Sequence, residues 1–398
     1  ARSPRRGDVF DVRFTHLSDK GEGVARIDLA VGPGAQPLSY SVVARGGLPN
    51  ELATVRILGR YRRTYSSIID ALIEPSEQRI TPKCRHFGSP TDAGKGCGGC
   101  SSQHLQLAAQ RDEKGARIRR LLQSANLDDS TLEPVRAASA PWHYRNKMEL
   151  SFGNDRERSF SLGMHPAGYR YETLALQECW LMSPFVSAFV PLVGEWASAY
   201  GLSAFDARQS EGQLRTLTIR EGKRTDERMV VLETEASAAL PDSLGADFVA
   251  AVHKAAQACG GKVDSIYWAQ RDAARGRKTS WTHTHLDGAA TITERLHLAD
   301  DVQLSFAISP QSFFQPSTAG AETIYNEVVR QSGLRERTGG EPATVLDLYC
   351  GTGTISLCVA PWAERVIGVE LVEEAVLDGR ANAVRNGAHN VELHAGDT

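Results

Sequence analysis

Residues 344–354 read Thr-Val-Leu-Asp-Leu-Tyr-Cys-Gly-Thr-Gly-Thr, an apolar run that breaks on Gly351 and Gly353. A helical stretch (Thr354–Ala360) follows, then a strand (Arg365–Val369), a helix (Val372–Asn386) and a strand (Val391–His394). This βαβαβ order opens a doubly wound parallel sheet. Glycines at a strand-to-helix turn let the backbone approach a ligand closely, and the next helix offers free N–H groups. Glu370 closes the second strand, 23 residues after Asp347, where a carboxylate accepts both hydroxyls of a ribose. The dinucleotide fingerprint wants a third glycine or alanine where this chain has Ser356, which favours S-adenosylmethionine over NAD. The competing reading is a tight turn with no ligand. Three parallel strands and two helices leave one sheet edge open and one face thinly covered, so further chain, another part of the protein or a partner is expected to cover them.

Working outward, a helix is expected from Ser317 to about Ser332 and a loop at Arg335–Pro342. Residues 140–310 alternate strand-like runs (Asn146–Phe152, Leu214–Arg220, Arg228–Glu233, Asp264–Ala269, Val302–Ser309) with helical ones (Pro184–Tyr200, Leu244–Cys259), a mixed α/β region of mainly antiparallel sheet. Residues 8–74 read as short β segments, Asp8–Leu17, Gly23–Asp28, Leu38–Ala44 and one long run from Glu51 to Asp70. Gly21, Gly23, Gly32, Gly34, Gly46 and Gly47 supply the turns, which suits a small barrel of the oligonucleotide-binding type. The long run interleaves Arg56, Arg60, Arg62 and Arg63 with Tyr61 and Tyr65, a pattern for meeting phosphates and stacking on bases, or else for keeping an edge strand soluble. A helix from Gln103 to about Asn126 is strongly charged and offers Glu113 and Arg117 as an i,i+4 pair.

Composition bounds the class. With 398 residues, 41% hydrophobic and 23% charged, two or three globular domains are expected, and no apolar run approaches a membrane span. Residues 1–150 carry 23 Lys+Arg against 16 Asp+Glu, and residues 151–398 carry 22 against 32. A basic first third on an acidic remainder is either a polyanion-facing end or a solvated surface. Ala1 stands where an initiator methionine would, and Arg2, Arg5 and Arg6 behind it leave a processed arginine-rich transit segment as one reading.

Seven cysteines are too few for a disulfide scaffold and fit a reducing compartment. Cys84, Cys97 and Cys100 sit in Cys-x12-Cys-x2-Cys within a loop rich in glycine (Gly94, Gly96, Gly98, Gly99), and Cys179 follows in Glu178-Cys-Trp180. By spacing alone zinc and an iron–sulfur cluster are comparable, since both take four thiolates. Cys259 and Cys358 occupy helical positions as small core residues. Cys350 lies in the glycine turn, where a helix N-terminus could lower its pKa and make it reactive.

Several further stretches carry a resemblance. Gly21-Glu-Gly-Val-Ala-Arg26, Gly47-Leu-Pro-Asn-Glu51, Cys84-Arg-His-Phe-Gly, Gly96-Cys-Gly-Gly-Cys-Ser-Ser-Gln-His104, Tyr144-Arg-Asn-Lys-Met-Glu149, Leu162-Gly-Met-His165, Ser312-Phe-Phe-Gln315 and Asp347–Gly353 occur in that order. The chain resembles the TRAM-domain, iron–sulfur-containing RNA uracil-5-methyltransferases, which make 5-methyluridine in tRNA and large-subunit rRNA. The resemblance implies a multidomain fold: an OB/TRAM-like RNA-binding β-barrel (1–76), a central α/β domain with the cluster loop 84–100 plus Cys179 (77–310), and the first part of a Rossmann-like S-adenosyl-L-methionine-dependent methyltransferase domain (311–398). It implies that Cys84, Cys97, Cys100 and Cys179 hold a [4Fe–4S] cluster, with zinc as the alternative. It also implies that Gln315, Tyr349, Thr354, Glu370 and Asp397, with Gly351 and Gly353 of the turn, line the cofactor pocket. Ser317, Thr354 and Asp397 stand where family members often have Asn; each can still hydrogen-bond.

The family's reaction adds a cysteine thiolate to C6 of uracil, methylates C5 from the sulfonium, and removes the C5 proton with a carboxylate. In the family both groups lie downstream of the third strand, with an Asp-Pro-Pro-Arg motif before them, and no residue of 1–398 is assigned either role. Two functions are therefore carried forward. One is an RNA uridine C5-methyltransferase whose catalytic C-terminal part is absent from these residues. The other is a catalytically inactive RNA-binding or ribosome-assembly factor on the same scaffold. The expected partner is structured RNA, rRNA or tRNA, including a ribosomal precursor particle, in the cytoplasm or a mitochondrial matrix.

Overall fold

The computed structural model describes residues 3–30, 36–89, 91, 96–273, 276–337 and 343–397. Arg2, Gly32, Gly34, Gly94 and residues 338–342 of the expected loop lie outside them. The chain forms two compact units, Ala1–Arg136 with Met164–Leu174, and Ala137–Gly163 with Ala175–Thr398.

In the first unit, strands β1 (Val9–Arg13), β2 (His16–Leu17), β3 (Gly23–Ala30), β4 (Pro37–Ala44), β5 (Leu52–Tyr61) and β6 (Thr64–Glu74) form one sheet in the order β1-β5-β6-β4-β3-β2. Residues of alternating register, among them Val12, Ala25, Ile27, Val42, Val55, Ile57, Tyr65 and Ile69, build its core. The run expected as one strand from Glu51 to Asp70 is a hairpin, β5 pairing antiparallel with β6. Arg62, in the left-handed region at φ 56°, makes the turn without the usual glycine or asparagine. The break also divides the expected arginine–tyrosine stripe. Tyr61 stays exposed with Arg62 over its ring at 5.4 Å, whereas Tyr65 turns into the core and Arg56 is held by Asp70 through two hydrogen bonds.

Two glycine motifs explain each other. A Cβ on Gly23 would stand 2.8 Å from the Gly47 backbone, and one on Gly47 would enter the Phe14 ring at 2.5 Å. Beside them Glu51 is fully buried and accepts from the Leu48 and Ser76 N–H groups and from Arg79 Nε and Nη2 at 2.5 and 2.8 Å. Arg79 Nη2 also donates to the Gly46 carbonyl, so one ion pair locks the turn before β5. Helix α1 (Leu107–Ser124) follows, and its Arg117 pairs with Asp19 at 2.9 Å, while the Glu113 carboxylate accepts from the Leu17 N–H. The expected Glu113–Arg117 pair gives way to these tertiary partners.

The second unit begins with β7 (Lys147–Asn154), β8 (Phe160–Met164), β9 (Leu174–Ala175), α2 (Pro184–Ala199), β10 (Leu214–Glu221), β11 (Arg228–Glu235), α3 (Leu244–Ala258), β12 (Ser265–Asp272) and β13 (Ser280–Gly288). Its strands share a mixed sheet ordered β13-β12-β11-β10-β7-β8-β9, with β11 and β12 parallel. Helices α2 and α3 meet through Trp196 and Phe248, ring centroids 5.5 Å apart. A hairpin, β14 (Ile292–His297) and β15 (Gln303–Ile308), and helix α4 (Thr318–Ser332) come next. The chain then adds β16 (Thr344–Leu348), α5 (Thr354–Val359), β17 (Arg365–Glu370), α6 (Glu373–Arg385) and β18 (Val391–Ala395), three parallel strands in the order β16-β17-β18. The expected βαβαβ is therefore present. One apolar core, from Val231 and Tyr267 through Ile292, Phe306 and Tyr325 to Leu357 and Ala383, joins the mixed sheet to this parallel sheet by way of the hairpin and α4. No described helix is long and apolar enough to cross a membrane.

Removing the Glu51 carboxylate leaves a partly buried Arg79 without its counter-ion and two backbone N–H groups without their acceptor, which costs about 2–3 kcal/mol. Glu51→Ala is expected to lower the urea midpoint accordingly, with Glu51→Gln intermediate. Equal midpoints for Glu51→Ala and the parent protein would remove Glu51 as the anchor.

Candidate functional site

The candidate site lies at the carboxyl ends of β16, β17 and β18, where open parallel sheets take their ligands. Tyr349 leaves β16 in the left-handed region (φ 59°), a strained setting for a tyrosine, and stays 76% exposed. Gly351 (φ 54°) and Gly353 (φ 71°) continue the turn, and Gly353 packs so closely that a Cβ would meet Leu393 at 2.9 Å. Glu370 reaches back across the turn: Oε2 accepts from the Gly351 N–H at 3.0 Å and Oε1 from the Val372 N–H at 2.9 Å. Each carboxylate oxygen keeps accepting capacity for a diol. Asp397 is exposed just after β18, at the same end of the sheet.

Two sequence positions find a different use. Ser356, at the third position of the dinucleotide pattern, is fully buried and donates to Asp347 Oδ2 at 2.6 Å. Burial raises the Asp347 pKa, and that hydrogen bond opposes the rise. Thr354 is turned inward, its hydroxyl 3.4 Å from Thr352 Oγ1 and hydrogen-bonded to Tyr325, so what it presents at the turn is its backbone. Cys350 is buried, and burial with Asp347 and Glu370 nearby pushes its pKa up to about 11. The reactive low-pKa thiol that a helix N-terminus could give is not formed here. Cys358 and Cys259 are likewise raised by burial.

Residues 309–315 form a loop beside this turn, with the Phe313 carbonyl 3.5 Å from Thr352 Oγ1. Arg220 of β10, almost fully buried, donates through Nη2 to the carbonyls of Pro310 and Ser312 at 3.0 and 2.7 Å. Burial lowers its pKa to about 10 against the pull of Asp378, and it stays cationic at neutral pH. From the other side Asp378 of α6 accepts from the hydroxyls of Ser309 and Ser312. At the loop's end Asn146 Nδ2 donates to the Gln315 carbonyl at 2.7 Å and to Thr318 Oγ1 at 3.2 Å. Ser317, where the resembled family often has Asn, caps α4 by accepting from the Gly320 N–H, a role both residues fill. Arg220, Asp378 and the crosslinking use of Asn146 escape the sequence reading. Asn146 lies inside a motif that reading quotes, and Arg220 shows only as a charge on an apolar strand.

The cysteine loop is held by hydrogen bonds to its sulfurs and carbonyls. Cys97 Sγ accepts from the Gly99 N–H at 3.3 Å and Cys100 Sγ from Gln103 Nε2 at 3.2 Å, bonds that favour thiolates. Arg45 donates to the carbonyls of Cys97 and Cys100. A Cβ on Gly96 would meet the Phe87 carbonyl oxygen at 2.1 Å, so the loop requires glycine there. Cys84 opens a short turn at 85–87, and Cys179 belongs to the second unit. All seven cysteines are unbridged. Among the described residues no three His, Cys, Asp or Glu side chains stand together as a metal-holding group. The donor chemistry suits a metal; the described geometry does not gather it.

Residues 341–398 match a family model described as a methyltransferase domain. An uncharacterized RNA methyltransferase of Protochlamydia amoebophila is 33% identical over 88% of this chain and 78% of its own length. One from Caldanaerobacter subterraneus subsp. tengcongensis is 30% identical over 98% of this chain and 80% of its own. Among solved structures, the tRNA (uracil-54, C5)-methyltransferase of Pyrococcus abyssi, in complex with S-adenosyl-L-homocysteine, superposes with a TM-score of 0.68. It is 21% identical over 98% of this chain and 80% of that chain, so the likeness is one of fold.

With its pKa near 11, about one Cys350 in a thousand is ionised at pH 8. Iodoacetamide treatment of the native protein at that pH, read by peptide mass spectrometry, is expected to leave Cys350 unmodified until denaturant is added. Rapid labelling of the folded protein at Cys350 would contradict this account of the turn.

Proposed function

The chain belongs to the RNA methyltransferase family, and from that premise we propose that it binds S-adenosylmethionine at the carboxyl ends of β16–β18 and serves methylation of uridine C5 in structured tRNA or rRNA. The observation that carries the reading is the convergence of Tyr349, the Gly351–Gly353 turn and Glu370 at one sheet end, with the Ser309–Gln315 loop clamped beside it. The bound cofactor supplies an electrophilic methyl group on sulfonium. Glu370 is oriented by two backbone N–H groups, so its carboxylate meets a ribose diol without reorganising. Gln315, its backbone held by Asn146, presents its side chain from the loop. Tyr349 and Asp397 offer a ring and a hydrogen-bonding carboxylate for the base. Attack on uracil C6 and removal of the C5 proton are assigned to no residue of 1–398; Cys350 is occupied in the turn and protonated.

For RNA, the exposed tip of the β5–β6 hairpin supplies Tyr61, Arg62 and Arg63, and the spacing and resemblance support a TRAM-like role for the first unit. The [4Fe–4S] cluster on Cys84, Cys97, Cys100 and Cys179 is the finer proposal, resting on spacing and resemblance and supported by the N–H···S bonds at Cys97 and Cys100. Unbridged cysteines also suit a reducing intracellular compartment.

Calorimetric titration is expected to give S-adenosylmethionine binding that Glu370→Ala weakens roughly ten- to hundredfold, a carboxylate–hydroxyl pair contributing roughly 1.5–3 kcal/mol. Nucleoside mass spectrometry after incubating total RNA with the protein expressed from its complete reading frame is expected to show new 5-methyluridine. Cofactor binding without that product favours the RNA-binding or assembly factor; no cofactor binding in the parent protein sinks the proposal. For the cluster, anaerobically purified protein is expected to show a broad absorbance near ~400 nm with iron and sulfide, lost on Cys97→Ala. Colourless protein carrying stoichiometric zinc would replace it with the zinc reading.

A further inference from the structure

Strand β13 differs from every other strand of the mixed sheet. It is an edge strand of sequence Ser-Trp-Thr-His-Thr-His-Leu-Asp-Gly, exposed on both faces for most of its length. Trp281 is 46% exposed, an unusual position for the largest apolar side chain on a strand with one free edge. The register aligns what lies beside it. Trp281 pairs with Arg271, and His283 with Ala269, which itself pairs with Glu233. Side chains of one parity share a face, so Trp281, His283, Arg271 and Glu233 form one polar–aromatic surface.

That surface is held in place. Trp281 Nε1 donates to Glu233 Oε2 at 2.9 Å, which fixes the indole against the sheet and leaves its ring outward. Arg271 lies over the same ring with its guanidinium carbon 5.9 Å from the centroid, and makes no ion pair among the described residues. His283 Nδ1 is 2.7 Å from Gln311 Nε2, and Gln311 belongs to the Ser309–Gln315 loop. The aromatic surface is therefore continuous with the loop at the candidate cofactor site, where Phe313 is 68% exposed. At its outer end the β12–β13 turn carries Arg277 and Lys278, both exposed; Arg277 has one exposed partner, Asp272 at 3.5 Å.

We infer that the outer end of the β12–β13 hairpin, where Trp281, Arg271 and Glu233 meet beyond the buried Val231, Tyr267 and Ala269 of the same face, binds single-stranded RNA leading to the methylation site, with a base stacked on Trp281 and backbone phosphates on Arg277 and Lys278. The inference rests on the RNA-methylating reading for the identity of the ligand and adds to it a binding face in the second unit. A pinned indole with exposed cations on the same hairpin is what sequence-tolerant base stacking requires, since every base offers a π-face and every nucleotide a phosphate. Glu233, held by the indole N–H, serves to orient the ring and is not a contact to the phosphates.

The test uses fluorescein-labelled oligouridine and anisotropy. Trp281→Ala is expected to weaken binding about tenfold and Trp281→Phe far less, because a phenyl ring still stacks. The Arg277→Ala/Lys278→Ala double variant is expected to flatten the slope of log affinity against log salt by about 1.4, at ~0.7 per phosphate contact on single strands. Circular dichroism and S-adenosylmethionine titration are run on each variant, and both are expected to be unchanged. Ultraviolet crosslinking of oligo-4-thiouridine, mapped by peptide mass spectrometry, is expected to label 276–288. Parent-like affinity and salt slope in both variants would overturn the inference even if the protein methylates RNA. Trp281-dependent binding in a parent protein that takes no S-adenosylmethionine would leave the RNA face standing and remove the methyltransferase reading.

Discussion

Asn146 spends both protons of its side-chain amide on one neighbourhood, the Gln315 carbonyl and Thr318 Oγ1, and Thr318 passes its own proton to Glu294 at 2.6 Å. Glu294 is fully buried and also accepts from the backbone N–H groups of Lys223, Arg224 and Arg295. A carboxylate removed from water survives only when its lone pairs are answered, and here four donors answer them. The consequence is mechanical. The start of β7, the turn after β10, the start of β14 and the first turn of α4 are tied to a single group, so the loop ending at Gln315 leaves the β14–β15 hairpin in a defined direction. Each donor left unmet would forfeit roughly 1–3 kcal/mol, which makes partial versions of this junction unstable relative to the complete one.

The same loop is then caught a second time. Arg220 holds its carbonyls from the mixed sheet, and Asp378 holds its hydroxyls from α6, which packs on the parallel sheet. A buried arginine with an unpartnered Nε is an expensive way to fasten a loop, since desolvation already lowers its pKa to about 10. An apolar residue there would satisfy packing but could not grip two carbonyls. The two clamps together place Phe313, Gln315 and the Gly351–Gly353 turn beside one another within the second unit. Neither the parallel sheet nor the mixed sheet alone would supply that constellation.

Much of this is legible in the sequence. Periodicity and turn residues locate the parallel βαβαβ almost to the residue, because each boundary coincides with a glycine, a capping residue or a charged edge. The Glu51–Asp70 run is misread for a physical reason: its turn rests on Arg62 in a left-handed conformation, and no glycine, proline or asparagine marks it. Tyr65 followed the error, since a two-residue turn changes which side chains share a face. Strand β13 escapes because it is polar on both faces, which removes the period-2 signal a half-buried strand would show. The Glu113–Arg117 pair fails for the opposite cause. Helical spacing allowed it, and tertiary partners at Asp19 and Leu17 outbid a weak surface interaction.

What the sequence could not carry is the division of labour among the polar residues of the site. Asp347, Ser356, Thr354 and Cys350 all lie in or beside the motif, and all are turned inward, bonded to one another's neighbourhood and held there by burial. Their role is to keep the turn in one shape. Tyr349 and Asp397 are exposed at the strand ends and Glu370 is half-buried there, so these side chains, unlike the inward ones, stay accessible at the sheet end. A motif letter records both groups alike. The difference does not follow from strand register, which would put Tyr349 on the face of Asp347 two residues before it; it follows from the left-handed backbone at Tyr349, just past the end of β16, which turns the ring out. The turn's conformational strain is therefore inseparable from its recognition surface. Relaxing Tyr349 to an ordinary backbone would redirect its ring and move the Gly351 N–H away from Glu370, which would loosen that carboxylate at the sheet end.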